Sequence, residues 1–132
     1  MLGWKELAAK VDSLYAKVPD PEQTLVLCDN YGQAGAINYY STQGIKAVSF
    51  NADYINWFDL GRKYIHLIRV KNSQELEQEF EETSPFFHSS ARAGFIENRF
   101  AREYGTAIFL FIGAKVDINE RIKSEIAEVK AN

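Results

Sequence analysis

The chain has 132 residues and a formal net charge of −3, from 15 lysine and arginine residues against 18 aspartate and glutamate residues. Because 46% of the residues are hydrophobic and 14% are aromatic, the composition excludes intrinsic disorder and predicts a single domain, 1–132, around one core. The acidic balance and the lack of a basic run exclude an electrostatic footprint for a phosphate backbone, so we expect no nucleic acid partner.

Apolar stretches in the sequence are too short to cross a membrane. The longest are AIFLFIGA and YIHLIRV, whereas a spanning helix needs about 20 apolar residues. The first residues have no basic region that leads into an apolar run, so no secretory signal is predicted. We expect the chain as given to be soluble.

An amphipathic helix over residues 3–17 is the first predicted element. Apolar residues recur at spacings of three and four from Trp4 to Val18. Pro19 and Pro21 end this helix, since neither offers an amide hydrogen. A continuous apolar run at 24–28 then predicts a strand covered on both faces, which is typical of a central parallel strand. A turn and a second helix follow, and Gly44 marks the end of that helix.

Strands and helices alternate through the rest of the chain. Second and third strands are predicted at 45–50 and 64–70, and an acidic helix at 72–82. A fourth strand is predicted at 86–96 and a fifth at 107–112, before a last helix capped by Asp117. Helices that alternate with apolar strands imply right-handed crossovers. We therefore predict an α/β fold, a three-layer α/β/α sandwich of Rossmann-like type, with a mostly parallel sheet of about five strands.

The loop after the first strand is a predicted ligand site, because open parallel sheets bind ligands at the carboxyl ends of their strands. It holds Asn30, Tyr31, Gly32 and Gln33 before a helix whose first amides can hold an anion. The sequence contains neither GxGxxG nor GxxxxGK[ST]. Two interpretations stay open. Either Gly32 and Gly35 serve a tight turn and close helix packing, or the loop forms a polar ligand site.

The loop after the second strand combines amide and aromatic side chains in Asn51, Tyr54 and Trp57. This mixture suits stacking on a sugar ring or contact with a membrane interface. The alternative is that the aromatic residues cap the open end of the core. Because the first two strands should be neighbours, we predict that one contiguous ligand-binding face contains Asn30, Tyr31, Gly32, Gln33, Asn51, Tyr54 and Trp57.

No catalytic residue, metal site or cofactor is predicted. Asp29, Asp53 and Asp59 offer carboxylates, but their separation does not follow from the sequence. His66 lies in mid-strand and is expected to be a hydrogen-bonded structural histidine. Cys28, the one cysteine, ends a buried strand, where a thiol is usually inert.

Four phrases in the sequence resemble one protein family. They are GWKELAAKVDSLY at the start, CDNYGQAGAINYY after the first strand, SFNADYINW after the second, and AREYGTAIFLFIGAK before the last helix. The resemblance that they carry extends over nearly the whole chain. They look like the soluble C-terminal domain of bacterial family 39 glycosyltransferases, the dolichyl-phosphate-mannose protein mannosyltransferase-like membrane enzymes. The sequence departs from the family's W.GP turn, since Trp57 is followed by Phe58, Asp59, Leu60 and Gly61.

The resemblance implies a parent enzyme that transfers a sugar from a polyprenyl-phosphate donor, with this domain on the extracytoplasmic (periplasmic) face of the bacterial inner membrane. The family's catalytic carboxylate lies between membrane helices, so no catalytic residue carries over to this chain. We expect a noncatalytic domain that aids acceptor binding or packs over the membrane active site. Its partners would be the membrane-embedded part of the same polypeptide and a carbohydrate or glycan acceptor. The alternative is a free-standing α/β module that binds a small carbohydrate or anion.

Overall fold

The computed structural model describes residues 2–29, 31–50, 58, 61–71, 76–96 and 106–131. Within these ranges it forms an α/β domain whose elements are, in chain order, α1 (Leu2–Tyr15), β1 (Thr24–Cys28), α2 (Tyr31–Tyr40), β2 (Val48–Ser49), β3 (His66–Lys71), α3 (Leu76–Thr83), β4 (Phe87–Ile96), β5 (Thr106–Ala114) and α4 (Ile118–Ala131). Short 3-10 turns at Pro21–Gln23 and Ser84–Phe86 precede β1 and β4. None of the helices in the described ranges has the length and apolar character needed to cross a membrane.

The five strands form one mixed sheet in the order β2-β1-β3-β5-β4. β1 is parallel to both of its neighbours, β2 and β3. β5 lies antiparallel between β3 and β4, so the prediction of a mostly parallel sheet is wrong. The cause of the error is that a continuous apolar run indicates burial of both strand faces, whatever the direction of the strand. β5 has such a run and is central, yet it is antiparallel to both neighbours.

Helices cover both faces of the sheet, because side chains alternate along each strand and both sets are apolar. On the first face, α1 and α2 pack on a core cluster of Leu7, Val11, Val18, Val26, Cys28, Ala34, Ile37, Ile45, Ala47, Ile68, Val70 and Ile108. On the second face, α4 and Phe80 of α3 pack with a cluster of Leu25, Val48, Tyr64, Leu67, Phe87, Ala107, Phe109, Phe111, Ile118 and Ile122.

β2 has two residues, whereas the sequence predicts a strand over 45–50. Asn38 of α2 binds both backbone groups of Ala47, just before β2. The Ala47 N–H donates to Asn38 Oδ1 at 2.6 Å, and Asn38 Nδ2 donates to the Ala47 carbonyl at 3.0 Å. A side-chain amide thus pairs with backbone groups that would otherwise need a strand partner. We call this arrangement the asparagine clasp.

The start of α4 is tied to the chain that enters β3. Asp117 Oδ1 accepts a hydrogen bond from the Glu120 N–H at 3.1 Å, which confirms the predicted helix cap. Asn119, 9% exposed, accepts from the Tyr64 N–H at 2.9 Å and donates to the Arg62 carbonyl at 2.7 Å. These bonds hold α4 at the amino end of β3, opposite the edge where ligands are expected.

Candidate functional site

The carboxyl ends of the parallel strands β1, β2 and β3 lie at one edge of the sheet, which we call the carboxyl edge. After β1 the chain enters α2, which packs on the first face. After β3 the chain continues to α3, whose Phe80 packs on the second face. Connections that leave toward opposite faces open a crevice between the two strands, and open α/β sheets bind ligands in such crevices. This geometry makes the crevice between β1 and β3 the candidate site.

The two loops predicted to form the site begin side by side. β1 and β2 pair in parallel, with Cys28 opposite Ser49, which confirms that the first two strands are neighbours. Of the seven predicted residues, Asn30, Asn51, Tyr54 and Trp57 lie outside the described residues, and of Tyr31 the backbone alone is described, as the first residue of α2. The contiguous face that joins them stays a prediction.

Gly32 and Gln33 lie in the first turn of α2. The Gln33 side chain is fully buried, and its Oε1 accepts a hydrogen bond from the Asp29 N–H at 2.9 Å. The same N–H also donates to the Val70 carbonyl of β3 at 3.1 Å. Gln33 therefore closes the turn between β1 and α2 and orients the backbone of Asp29.

Three ionic side chains meet in the crevice, and we call Asp29, Arg69 and Lys71 the edge charge group. Asp29 Oδ1 accepts from Arg69 Nη2 at 2.8 Å and from Lys71 Nζ at 3.3 Å. The three side chains are 18%, 14% and 22% exposed, respectively. Their mutual contacts and partial burial place two cations and one carboxylate in the crevice, within reach of a ligand.

The Arg69 guanidinium has a fixed orientation. Its Nη1 donates to the Leu27 carbonyl of β1 at 3.2 Å and to the Val70 carbonyl of its own strand at 3.1 Å. Leu27 is directly opposite Arg69 in the register of β1 and β3. The guanidinium therefore bridges the two strands and holds the Asp29 carboxylate over the crevice.

A cavity of about 550 Å³ lies on the second face of the sheet, where Leu25, Leu27 and Leu67 line it beside residues of α3 and α4. Of the edge charge group, Arg69 lines this cavity. Sites for small ligands commonly have volumes of about 300–1,000 Å³. The cavity therefore has the volume of a small-ligand site, and Arg69 lines it near the carboxyl edge.

His66 has the structural role that the sequence predicts. It is 4% exposed, its Nδ1 accepts from the Gly113 N–H at 3.0 Å, and its Nε2 lies 3.2 Å from Asp20 Oδ2. Cys28 is buried in the first core cluster. Among the residues that the structure describes, no group of three His, Cys, Asp or Glu side chains is placed to hold a metal ion.

Sequence reasoning named Asp29 but missed Arg69 and Lys71. The available signal was the end of the third strand, HLIRVK, where two basic residues spaced by two lie on the same strand face. Comparisons with known proteins add nothing to this geometry, since no family model, curated protein or solved structure matches the chain.

Proposed function

We propose that this chain is a noncatalytic, ligand-binding domain of a membrane glycosyltransferase that uses a polyprenyl-phosphate sugar donor. In this proposal the domain lies on the extracytoplasmic (periplasmic) face of the bacterial inner membrane. Its carboxyl edge aids binding of a glycan acceptor or packs over the membrane active site, which belongs to the same polypeptide.

The observation that carries the binding role is the edge charge group in the crevice between β1 and β3. Asp29, Arg69 and Lys71 offer charged donors and acceptors at the position where open α/β sheets bind ligands. Such groups suit the hydroxyl and acidic groups of a glycan. The parent enzyme is supported by the resemblance of the four sequence phrases, one of which, residues 28–40, forms the end of β1 and α2 beside this crevice.

The contacts within the edge charge group support binding rather than catalysis. One oxygen of the Asp29 carboxylate already accepts hydrogen bonds from both cations. A general base needs an accessible lone pair within hydrogen-bond reach of the reacting proton. A carboxylate held between an arginine and a lysine is better suited to fixing their positions than to taking a proton.

The location of the natural polypeptide tests the parent enzyme. Antibodies raised against the purified chain would detect it in fractionated cells of the source organism. We expect a membrane-bound band much larger than 15.1 kDa that is digested by protease added from the periplasmic side. A band of 15.1 kDa confined to the cytoplasm would refute this proposal and favour the free-standing carbohydrate- or anion-binding module.

Transfer assays test whether this domain binds without catalysing transfer in the parent enzyme. The isolated 132-residue chain should transfer no sugar from a lipid-phosphate donor and should bind free sugars at millimolar or weaker affinity, because each exchanged hydrogen bond contributes about 0.5–1.5 kcal/mol. In the full-length enzyme, Trp57→Ala should reduce transfer without changing thermal unfolding of the isolated domain. The matched control is Tyr39→Ala, which removes an aromatic ring that is 81% exposed on α2. Transfer by the isolated chain would contradict the noncatalytic role.

A further inference from the structure

We propose that two copies of this chain associate through β4, whose outer side pairs antiparallel with β4 of the second copy to form one continuous sheet. β4 is the last strand in the order β2-β1-β3-β5-β4. Among the strands that the structure describes, β4 pairs with β5 alone. β5 separates this surface from the crevice between β1 and β3, so the proposal does not rest on the proposed function.

The first step is the direction in which backbone groups point within the sheet. Successive residues of a strand turn their N–H and carbonyl groups to opposite neighbours. The Asp29 N–H donates to the Val70 carbonyl, so Val70 faces β1 and Arg69 faces β5. Arg69 is opposite Phe109 in the register of β3 and β5. These two residues therefore form a hydrogen-bonded pair, and the backbone groups of Phe109 face β3.

The same alternation continues through β5 into β4. The backbone groups of Leu110, the next residue, face β4, where the opposite residue is Ala91. Because Ala91 bonds to β5, the backbone groups of Ser90 and of His88 point away from the sheet. In the part of the chain that the structure describes, these outward groups have no hydrogen-bond partner. Such a row of strand donors and acceptors is a template for another strand.

The second step is that β4 lacks the features that usually prevent pairing at a sheet edge. Proteins protect edge strands with lysine, proline or a short length. β4 instead has ten residues, FHSSARAGFI, with neither lysine, proline nor an acidic residue. The guanidinium of Arg92 lies 4.3 Å from the centre of the Phe80 ring, so its charge is held toward α3 on the second face. The register shifts between Arg92 and Gly94, which leaves residues 87–92 as the regular stretch.

The third step identifies a second copy of β4 as the partner. Closed twofold symmetry is the commonest in homo-oligomers and brings the same surface of both copies together. A twofold axis at Ser90 places Ser90 opposite Ser90 and His88 opposite Arg92 of the second copy, within the regular stretch. The two Arg92 side chains are then not directly opposite, so no pair of arginines opposes the association. Ser89 and Ala91 are small and exposed, so they leave space for the second strand.

The extent of this pairing sets the expected affinity. Residues 88–92 of each copy pair, and Phe86, which is 36% exposed just before β4, adds an apolar side chain beside them. A contact of this kind belongs to the small interfaces, below about 1,200 Å², that are typical of transient association. We therefore expect a dissociation constant on the order of 10–100 μM.

Sedimentation equilibrium of the full chain measures the association. The mean mass should rise from 15.1 kDa toward twice that value between about 1 μM and 1 mM. Ser90→Pro removes an outward N–H without touching the bonds to β5 and should abolish the dimer at about 100 μM. Ser90→Lys places two ammonium groups opposite each other and should weaken association about fivefold. The matched control is Ser124→Lys, at an exposed serine of α4, which should associate like the parent chain.

Thermal unfolding of each variant shows whether it is folded. If Ser90→Pro does not fold, the comparison of Ser90→Lys with Ser124→Lys carries the test, because neither substitution removes a backbone N–H.

Cysteine pairing tests the position of the twofold axis. Cys28, the one cysteine of the sequence, is buried, so Ser90→Cys supplies the thiol at the sheet edge. Opposite residues of a hydrogen-bonded antiparallel pair have Cα atoms about 5.5 Å apart, which is within the range of about 4.4–6.8 Å that a disulfide spans. Mild oxidation should therefore give a covalent dimer at least about tenfold faster from Ser90→Cys than from the control Ser124→Cys.

Three results would overturn the proposal. The first is a mass of 15.1 kDa at every concentration. The second is a dimer that neither Ser90→Pro nor Ser90→Lys weakens, since its interface would lie elsewhere. The third is equal rates of covalent dimer formation from Ser90→Cys and Ser124→Cys. None of these results concerns the carboxyl edge, so the proposed function stands or fails separately.

Discussion

Removal of the asparagine clasp should destabilise the whole domain, although Asn38 is a single half-buried polar residue. In Asn38→Ala, the backbone N–H and carbonyl of Ala47 lose their partners at 2.6 and 3.0 Å. Ala47 is 0% exposed, so these groups lie in a buried segment, and an unsatisfied buried polar group costs about 1–3 kcal/mol. Since Asn38 itself is half-buried, water can reach part of the gap. We therefore expect a loss of about 2–3 kcal/mol in the free energy of unfolding.

Urea unfolding followed by circular dichroism measures this loss directly. The midpoint should fall while the dependence on urea stays unchanged, because the same surface is exposed on unfolding. For a domain of this size the thermal midpoint should fall by about 10 °C. Gln43→Ala is the control, since it removes an exposed amide a few residues after α2 and should change stability by less than about 0.5 kcal/mol.

Asn38→Asp tests the direction of each bond in the clasp. In the parent chain, Asn38 Nδ2 donates to the Ala47 carbonyl. In the variant, the aspartate can still accept from the Ala47 N–H, but its second oxygen takes the place of Nδ2 and faces that carbonyl. Protonation restores a donor, so the native state binds this proton more tightly than the unfolded state does. Stability of the variant should therefore rise as the pH falls through the native pKa of that carboxyl.

One result for Asn38→Ala would refute this account of the clasp. If its free energy of unfolding differs from that of the parent chain by less than about 0.5 kcal/mol, the clasp does not hold β2.

Three further predictions test other parts of the fold. Gly113→Ala should lower the free energy of unfolding more than Gly44→Ala does. Both glycines have positive φ (72° and 70°), but an added Cβ at Gly113 would lie 3.0 Å from His88 Cδ2, whereas an added Cβ at Gly44 would meet no non-neighbouring atom of the described residues within 4 Å. We expect a difference of about 1–2 kcal/mol in urea unfolding. His66→Ala should lower the free energy of unfolding by about 1–3 kcal/mol, because the Gly113 N–H loses its acceptor. Burial raises the pKa of Tyr15, so the native state favours its neutral form. The free energy of unfolding should therefore fall as the pH rises above about 10. Unfolding measured at alkaline pH should show a smaller decrease in stability for Tyr15→Phe than for the parent chain.

The sequence predicts the positions of the strands better than their directions. Each strand was expected within a few residues of its place, because apolar runs and turn residues are local signals. Direction depends on the connections instead. Parallel neighbours need a crossover of about a dozen residues or more, and residues 97–105 leave too little chain between β4 and β5. That length, rather than the apolar character of β5, was the signal for an antiparallel pair.

The candidate site was harder to predict, because it depends on the register between distant strands. Arg69 reaches Asp29 because β1 and β3 pair with Leu27 opposite Arg69, and no local pattern in either strand determines that register. A shift of one residue would turn Arg69 to the opposite face of the sheet. The loop residues Asn51, Tyr54 and Trp57 were predicted from their residue types and from their position after the second strand, and their place in the site remains a prediction.

Asp29 holds Arg69 and Lys71 in the fold and belongs to the proposed ligand site. Asp29→Asn should therefore lower the free energy of unfolding and raise the affinity for an acidic ligand. Loss of the carboxylate leaves Arg69 and Lys71 without their shared anion at 2.8 and 3.3 Å. Because these side chains are 14–22% exposed, we expect a loss of about 1–2 kcal/mol in the free energy of unfolding, more than for a surface ion pair.

In the proposed glycan site, the same change removes a carboxylate that would compete with an acidic glycan group for Arg69 and Lys71. Affinity for glucuronate or inorganic phosphate should therefore rise several-fold in Asp29→Asn, while affinity for glucose stays constant. A side chain with a purely structural role would lower stability and affinity together. A parallel fall in both quantities, measured by urea unfolding and by titration on the same sample, would contradict the competition between Asp29 and the ligand.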